Sequence, residues 1–559
     1  MAIELSNLTF TDEDDIVPVS GIEEIFNTGI ANTLAGNDSI TGKPTNSSSG
    51  GTNGVYNTGT LNTDDGNDII TGIGSLGDWW ETPDPEAGRG IYNRIGTIET
   101  GNGNDIITGL GGWGIQSLSG TINTGDDNDT IMGAVGVGGP PRTGFGIWMA
   151  DSTLDTGKGN DVIKGTLSNG NSGHGLLNGN GSTLTTGDGN DIIIGEHNRG
   201  GAAISNDGLM DTGNGNDSIS GTNTDYADVV GLGLYNSKDI TTGDGEDYIS
   251  GTSPFHGLIN SGIINTDNGA DNIFGGSVYG VGLINSGIIN TGNGPDFMES
   301  LGDLSNTGNI FLGEGNDSLS SQGDGIRNSN FIGTGDGNDI ITSTGVIYNE
   351  GVINTGNGDD FIISKGKIFN TGEVFLGDGN DLISVERYYA PYYDVFENFN
   401  FIGTGDGNDT ITSTGILENQ GVIETGNGDD SIIVDIDTED TGIAYGINNN
   451  GGTINMGDGN DSIIANQGFE SGSNNSGSVF LGNGEDYLKG FGRGDFYGGN
   501  DEDTLELTPG TYTVGIWDTS ATFTQGNQLM ITSEFEKLRA GSTIYDFTSL
   551  TAGQIIIVA

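Results

Sequence analysis

Thr355-Gly-Asn-Gly-Asp-Asp360, followed by Phe361-Ile-Ile-Ser364, decides the fold, because this loop and strand recur from one end of the chain to the other. Close copies end at Asp38, Asp68, Asp105, Asp129, Asp161, Asp191, Asp217, Asp247, Asp271, Asp296, Asp317, Asp339, Asp360, Asp381, Asp409, Asp430, Asp461 and Asp486, and a degenerate copy, G-G-N-D-E-D, ends at Asp503. Registering the copies on that Asp shows which other positions repeat. Eleven residues earlier stands an Asn, usually as N-x-G, at Asn27, Asn57, Asn206, Asn260, Asn285, Asn306, Asn349, Asn370, Asn419, Asn450 and Asn475. Asn and Gly tolerate positive φ, so this is a second tight corner. Seven residues before the Asp (Ile264, Ile289, Ile310, Ile353, Val374, Ile423, Ile454, Val479) and two after it (Ile249, Ile273, Leu319, Ile341, Ile362, Ile383) the side chain is aliphatic. Those positions are the expected inward rungs.

The spacing from one Asp to the next Asn varies from ten residues (Asp339 to Asn349) to nineteen (Asp38 to Asn57) and more, so insertions are expected at one place in the unit. Such a unit cannot bury an apolar face alone and must stack on its neighbours. The expected fold is all-β, a parallel β-solenoid (β-helix or β-roll) of about 19 coils, with identical side chains in ladders along a rod of about 85 Å. An N-terminal cap at 1–26, repeats at 27–503 and a small β-rich C-terminal module at 504–559 complete the expected layout. The insertions at 73–94, 133–150 and 385–398 are rich in aromatic residues, among them Trp79, Trp80, Tyr388, Tyr389, Tyr392 and Tyr393.

With 106 Gly but only 10 Pro and no three-residue period, the chain is not collagen. Its 78 acidic and 16 basic residues give a net charge of −62. Charge of that density repels itself, which favours bound cations and disfavours nucleic acid or anionic membrane as partners. The chain has no Cys, so disulfides and thiolate sites are out, and no stretch has the length of a signal peptide's apolar core or a membrane span. In T-G-x-G-N-D the glycines free loop carbonyls and the Asp adds a carboxylate. These hard oxygen donors suit Ca²⁺ better than Mg²⁺ or a transition ion. All nineteen Asp residues are therefore candidate metal ligands, and one ion per gap between loops would offset about 36 of the 62 negative charges.

At these residues the chain resembles the haemolysin-type (RTX) calcium-binding repeat, G-G-x-G-x-D-x-U-x. T-G-D-G-N-D-I-I at 186–193 and T-G-D-G-N-D-T-I at 404–411 match all but the first Gly, and the resemblance covers roughly 33–505. It implies Ca²⁺ held between neighbouring coils by the Asp carboxylate and loop carbonyls. It further implies export by a type I exporter through an uncleaved C-terminal signal, and folding outside the cell when calcium is met. The segment from T-P-G-T-Y-T-V-G to I-I-I-V-A also resembles tails of cyanobacterial calcium-repeat proteins. Two features depart from the family pattern: one loop per coil of twenty-one or more residues, and Thr or Leu in place of the first Gly.

The expectation is a secreted, extracellular calcium-binding protein of surface, matrix or adhesive character, with no catalysis. The alternatives are a polysaccharide lyase or epimerase and a lectin-like binder of polysaccharide or cell-surface glycans. Against an enzyme, His174, His197 and His256 are isolated and are expected to be exposed insertion residues, and acids that recur in every coil are structural by construction.

Overall fold

The structure, a computed structural model, describes residues 2–18, 23–44, 51–75, 88–135, 144–168, 173–226, 231–386, 394–436, 445–470 and 477–559. The insertion aromatics Trp79, Trp80, Tyr388, Tyr389, Tyr392 and Tyr393, and Asn475, lie outside the described residues. The chain divides into two compact units, Met1–Gly302 and Asp303–Ala559.

One coil of the second unit shows the design. Val346–Asn349, Val352–Asn354 and Phe361–Ser364 are strands, and each pairs in parallel with its equivalent one coil on, Lys367–Asn370, Glu373–Phe375 and Leu382–Val385. Period-2 alternation of β-branched residues makes the strands, and Asn, Gly and Asp between them make the corners. Repetition of this pattern in both units gives three walls of parallel strands, so the fold is a parallel β-solenoid. The rungs named above at both repeat positions are all buried. A third rung, two residues before the corner Asn, completes the core: Leu234, Leu258 and Leu283 in the first unit, Leu304, Ile326, Ile347 and Ile368 in the second. Each such side chain contributes about 1.5–3 kcal/mol by leaving water.

The Asn corner is an amide ladder. Asn328 Nδ2 donates to Asn349 Oδ1 at 2.9 Å, and Asn349 Nδ2 donates to Asn370 Oδ1 at 2.8 Å and to Glu373 O at 2.9 Å. The register read from sequence needs one correction here. The ladder takes Asn449 and not Asn450, since Asn419 Nδ2 meets Asn449 Oδ1 at 2.9 Å. Asn93 and Asn178 join it too, at twelve and thirteen residues before their Asp. Extra residues therefore enter at this corner as well as at the expected slot, and left-handed residues such as Ile95 (φ 56°), Asp151 (φ 48°) and Gly451 (φ 81°) absorb them.

The two units differ four residues after the Asp. From Gly42 to Gly275 in the first unit this position is Gly, and the strands run on, as in Ile192–His197 against Gly201–Asn206, while the unit's last coil has Ser300 there. A Cβ on Gly195 would stand 2.3 Å from Ala203 O, and one on Gly72 would stand 2.1 Å from Gly90 O, so two walls touch backbone to backbone. In the second unit the position is often Ser, which ends the strand: Ser321 Oγ donates to Gly325 O and Ser413 Oγ to Gly415 O, both at 2.9 Å.

Stacking begins early and ends late. Ala2–Glu4 pairs with Glu24–Asn27 and Ile16–Val17 with Ser39–Gly42. Thr504–Glu506 and Lys537–Ala540 continue one wall in parallel, with Leu505 and Leu538 as rungs. Gly510–Trp517, Ser520–Gln525 and Gln528–Ser533 form an antiparallel meander beside them.

Candidate metal-binding corner

In Thr355–Asp360 both glycines have left-handed φ, 92° at Gly356 and 141° at Gly358. A Cβ on Gly358 would lie 1.9 Å from Gly337 O, so the stacking excludes a side chain as firmly as the backbone angle does. The Gly358 N–H donates to Asp378 O at 2.8 Å, closing the corner onto the next coil. Where the first Gly is replaced, Leu34, Asp64 and Asp267 take the positive φ instead (68°, 55° and 58°).

The nineteen Asp residues are 0–2 % exposed, and the fold gathers them into a buried column in each unit. From Asp38 to Asp296, each Asp N–H donates to Oδ1 of the Asp one coil on, at 2.7–2.9 Å. From Asp317 to Asp503 the same bond runs at 2.7–3.0 Å. Two acids that the motif does not mark also belong to these columns. Asp15 N–H donates to Asp38 Oδ1 at 2.8 Å, and Glu536 Oε2 accepts the Asp503 N–H at 2.9 Å. D-E-D-D at 12–15 lacks the glycines, and its one signal is Val17, a buried rung two residues after Asp15.

The second oxygen is the reactive feature. In Asp381, Asp461, Asp486 and Asp503, whose corners lack the threonine, Oδ2 is buried without a hydrogen bond. In Asp271 it accepts Thr266 Oγ1 at 2.6 Å. The same Thr hydroxyl also faces the carbonyl of the next coil, as Thr355 Oγ1 does Leu376 O at 3.1 Å, so one proton serves two acceptors. Burial pushes these carboxyls up, to about 7 at Asp105, Asp360 and Asp430 and about 8 at Asp129 and Asp381. The threonine hydroxyl, where present, and the donated N–H pull back, and the neighbouring carboxylates push further up.

Two outer ladders flank the buried one. In one, Asn338 N–H donates to Asn316 Oδ1 (2.8 Å), Asp359 N–H to Asn338 Oδ1 (3.0 Å) and Asn380 N–H to Asp359 Oδ1 (2.8 Å). In the other, Asn357 N–H and Nδ2 both donate to Asp336 Oδ1. Asp359 thus lies between two amides, Asn338 and Asn380, and the Asn380 donors hold it below the usual carboxylate range.

Among the described residues no cluster of three or more His, Asp or Glu forms a ready-made metal cage. The donor set is a column of buried carboxylate oxygens, unsatisfied in corners such as Asp381 and Asp461, which fits a hard cation and does not fit a transition ion. The histidines correct the sequence reading in one respect. All three are strand residues and not exposed insertion residues, His174 and His256 half-buried and His197 fully buried. The Nε2 of His197 lies 3.0 Å from Gly200 O, its Nδ1 accepts the Arg199 N–H at 3.1 Å, and burial lowers it to about 4.

Comparison with known protein families finds no match, and comparison with curated protein sequences finds none. Among solved structures, a hyperactive, Ca²⁺-dependent, β-helical antifreeze protein from an Antarctic bacterium is similar at 16 % identity over 88 % of this chain and 84 % of that one, with a TM-score of 0.24. A likeness that distant adds nothing to what the strands of this chain already establish.

Proposed function

We propose that this chain is a calcium-loaded structural solenoid, a secreted surface, matrix or adhesion protein without catalytic activity. The observation that supports it is the buried carboxylate column: ionised acids stacked one coil apart, several with an oxygen lacking a partner, are costly in a dry corner unless a cation lies between them. The nineteen Asp would each give Oδ2, and loop carbonyls would complete the shell. A bound Ca²⁺ supplies charge compensation, not a reaction step. Binding that favours the folded state stabilises it by mass action, and low calcium would leave the acidic chain open for type I export. Metal analysis of the purified protein, with circular dichroism before and after chelation, tests the reading. Stoichiometric Ca²⁺ and loss of the strand signal in chelator are expected at neutral pH, and a metal-free chain with an unchanged spectrum would overturn it. The export route is tested separately by deleting 504–559 in the native host and comparing medium with cells, where undiminished secretion would refute it.

A second reading, a lectin-like glycan binder, is favoured by one specific feature. Phe26, Tyr56 and Tyr92 line one outer wall with ring centroids 5.9 and 5.3 Å apart, and Trp113, Phe145 and Trp148 continue the aromatic surface. Half-exposed rings of this kind can stack on sugars, and a glycan array decides whether they do.

A further inference from the structure

The strand Ile555–Val558 pairs antiparallel with Gly510–Trp517 and, among the described residues, with no other strand. Alternate N–H and C=O groups along such an edge point away from its one partner, a template for another strand. Edges are ordinarily blunted by Lys, Pro or a bulge, and Gln554-Ile-Ile-Ile-Val-Ala559 contains none of these. Ile556 and Val558 face the core, while Ile555 and Ile557 are 63 % and 72 % exposed.

The surface beside that edge is also unlike the rest of the chain. Outward from it Ile555 and Ile557 stand opposite Thr513 and Thr511, Thr513 opposite Thr524, and Thr524 and Thr522 opposite Leu529 and Ile531. None of these eight is charged. Residues 504–559 hold five acids (Glu506, Asp518, Glu534, Glu536, Asp546) against Lys537 and Arg539, so their net charge is 2 − 5 = −3 in a chain of −62. Several of those charges neutralise one another away from the patch, Lys537 with Asp546 at 2.6 Å and Arg539 with Glu506 at 3.4 Å.

We infer that Ile555–Val558 is a self-association edge, on which a second copy of this chain adds the same strand antiparallel about a two-fold axis. Two copies of a −62 chain repel across most surfaces, and this uncharged face is where they can approach. An edge strand is its own antiparallel complement under two-fold symmetry, and I-I-I-V presents the same outward isoleucines in both copies. Main-chain bonds supply the pairing, while Ile555 and Ile557 bury each other.

Sedimentation velocity of the full chain in calcium buffer at micromolar concentration tests this. The wild type should sediment as a dimer, whereas Ile557→Lys and Ile555→Lys should be monomers with unchanged circular dichroism, since both side chains point outward. The spectrum shows that the chain is folded, which separates failure here from failure of the calcium reading. Because the chain has no Cys, Ile557→Cys adds an independent check: its single thiol should cross-link copies under mild oxidation, and Lys158→Cys, on an exposed corner, should not. A monomeric wild type, or a dimer that persists in both lysine variants without cross-linking at position 557, overturns the inference.

Discussion

The backbone N–H of Asp339 donates to Oδ1 of Asp360 at 2.8 Å, so the carboxylate of one coil completes the corner of the coil before it. Oδ1 is spent on folding and Oδ2 is left for a proton or a cation. That division of labour governs what substitution, chelation and pH should do.

Asp360→Asn keeps an acceptor for the Asp339 N–H and removes the buried charge. In chelator at pH 7.5 it should raise stability slightly, because the ionised carboxyl is the disfavoured form in this fold. With calcium it should lose affinity, and Asp360→Ala should lose both the bond and the ligand. Calcium titration calorimetry with melting curves of the three proteins separates the effects.

The metal-free chain should be more stable at pH 5 than at pH 8. The sign follows from folded pKa values near 7 against an ordinary 3.8: the unfolded chain releases its protons first, so stability falls as pH rises from about 4 through 7. Calcium competes with the protons and should flatten the curve. A circular dichroism titration in chelator that shows greater stability at pH 8 would contradict the buried column.

Asn449→Ala should cost more than Asn450→Ala. Asn449 accepts from Asn419 Nδ2 at 2.9 Å and donates to Ser478 O at 3.0 Å, so its loss strands ladder groups at about 1–3 kcal/mol each. Urea unfolding of the two variants decides it, and equal losses would return the ladder to the register read from sequence.

Gly195→Ser should destabilise the first unit by about 1–3 kcal/mol or more, because its Cβ would meet Ala203 O at 2.3 Å and Ile204 Cγ1 at 2.4 Å. Gly541→Ala meets nothing within 4 Å and should cost only its left-handed backbone, about 1 kcal/mol. Thermal melts compare them.

Much of this was legible because a solenoid writes each coil in the same register. Ile353 and Ile362 could be assigned inward from their fixed distance to Asp360, and the corner glycines from their recurrence. The third rung at Ile347 follows the same logic but sits beyond a corner where extra residues enter, so a fixed count from the Asp loses it in the coils of Asn93 and Asn178. The Gly at 72 and 195 against the Ser at 321 and 413 was visible as a pattern, yet its meaning, two walls in backbone contact, exists only across strands distant in sequence.

The sequence by itself determined the parallel β-solenoid, the position of each corner Asp and the acidity that calls for cations, since these rest on local periodicity and composition, which repetition multiplies. The tertiary structure decided where those carboxylates point. Stacking buries them and turns Oδ1 to the N–H one coil before, drawing Asp15 and Glu536 into the columns, because a hydrogen bond between coils depends on which residues fall opposite one another, and no single coil contains that information.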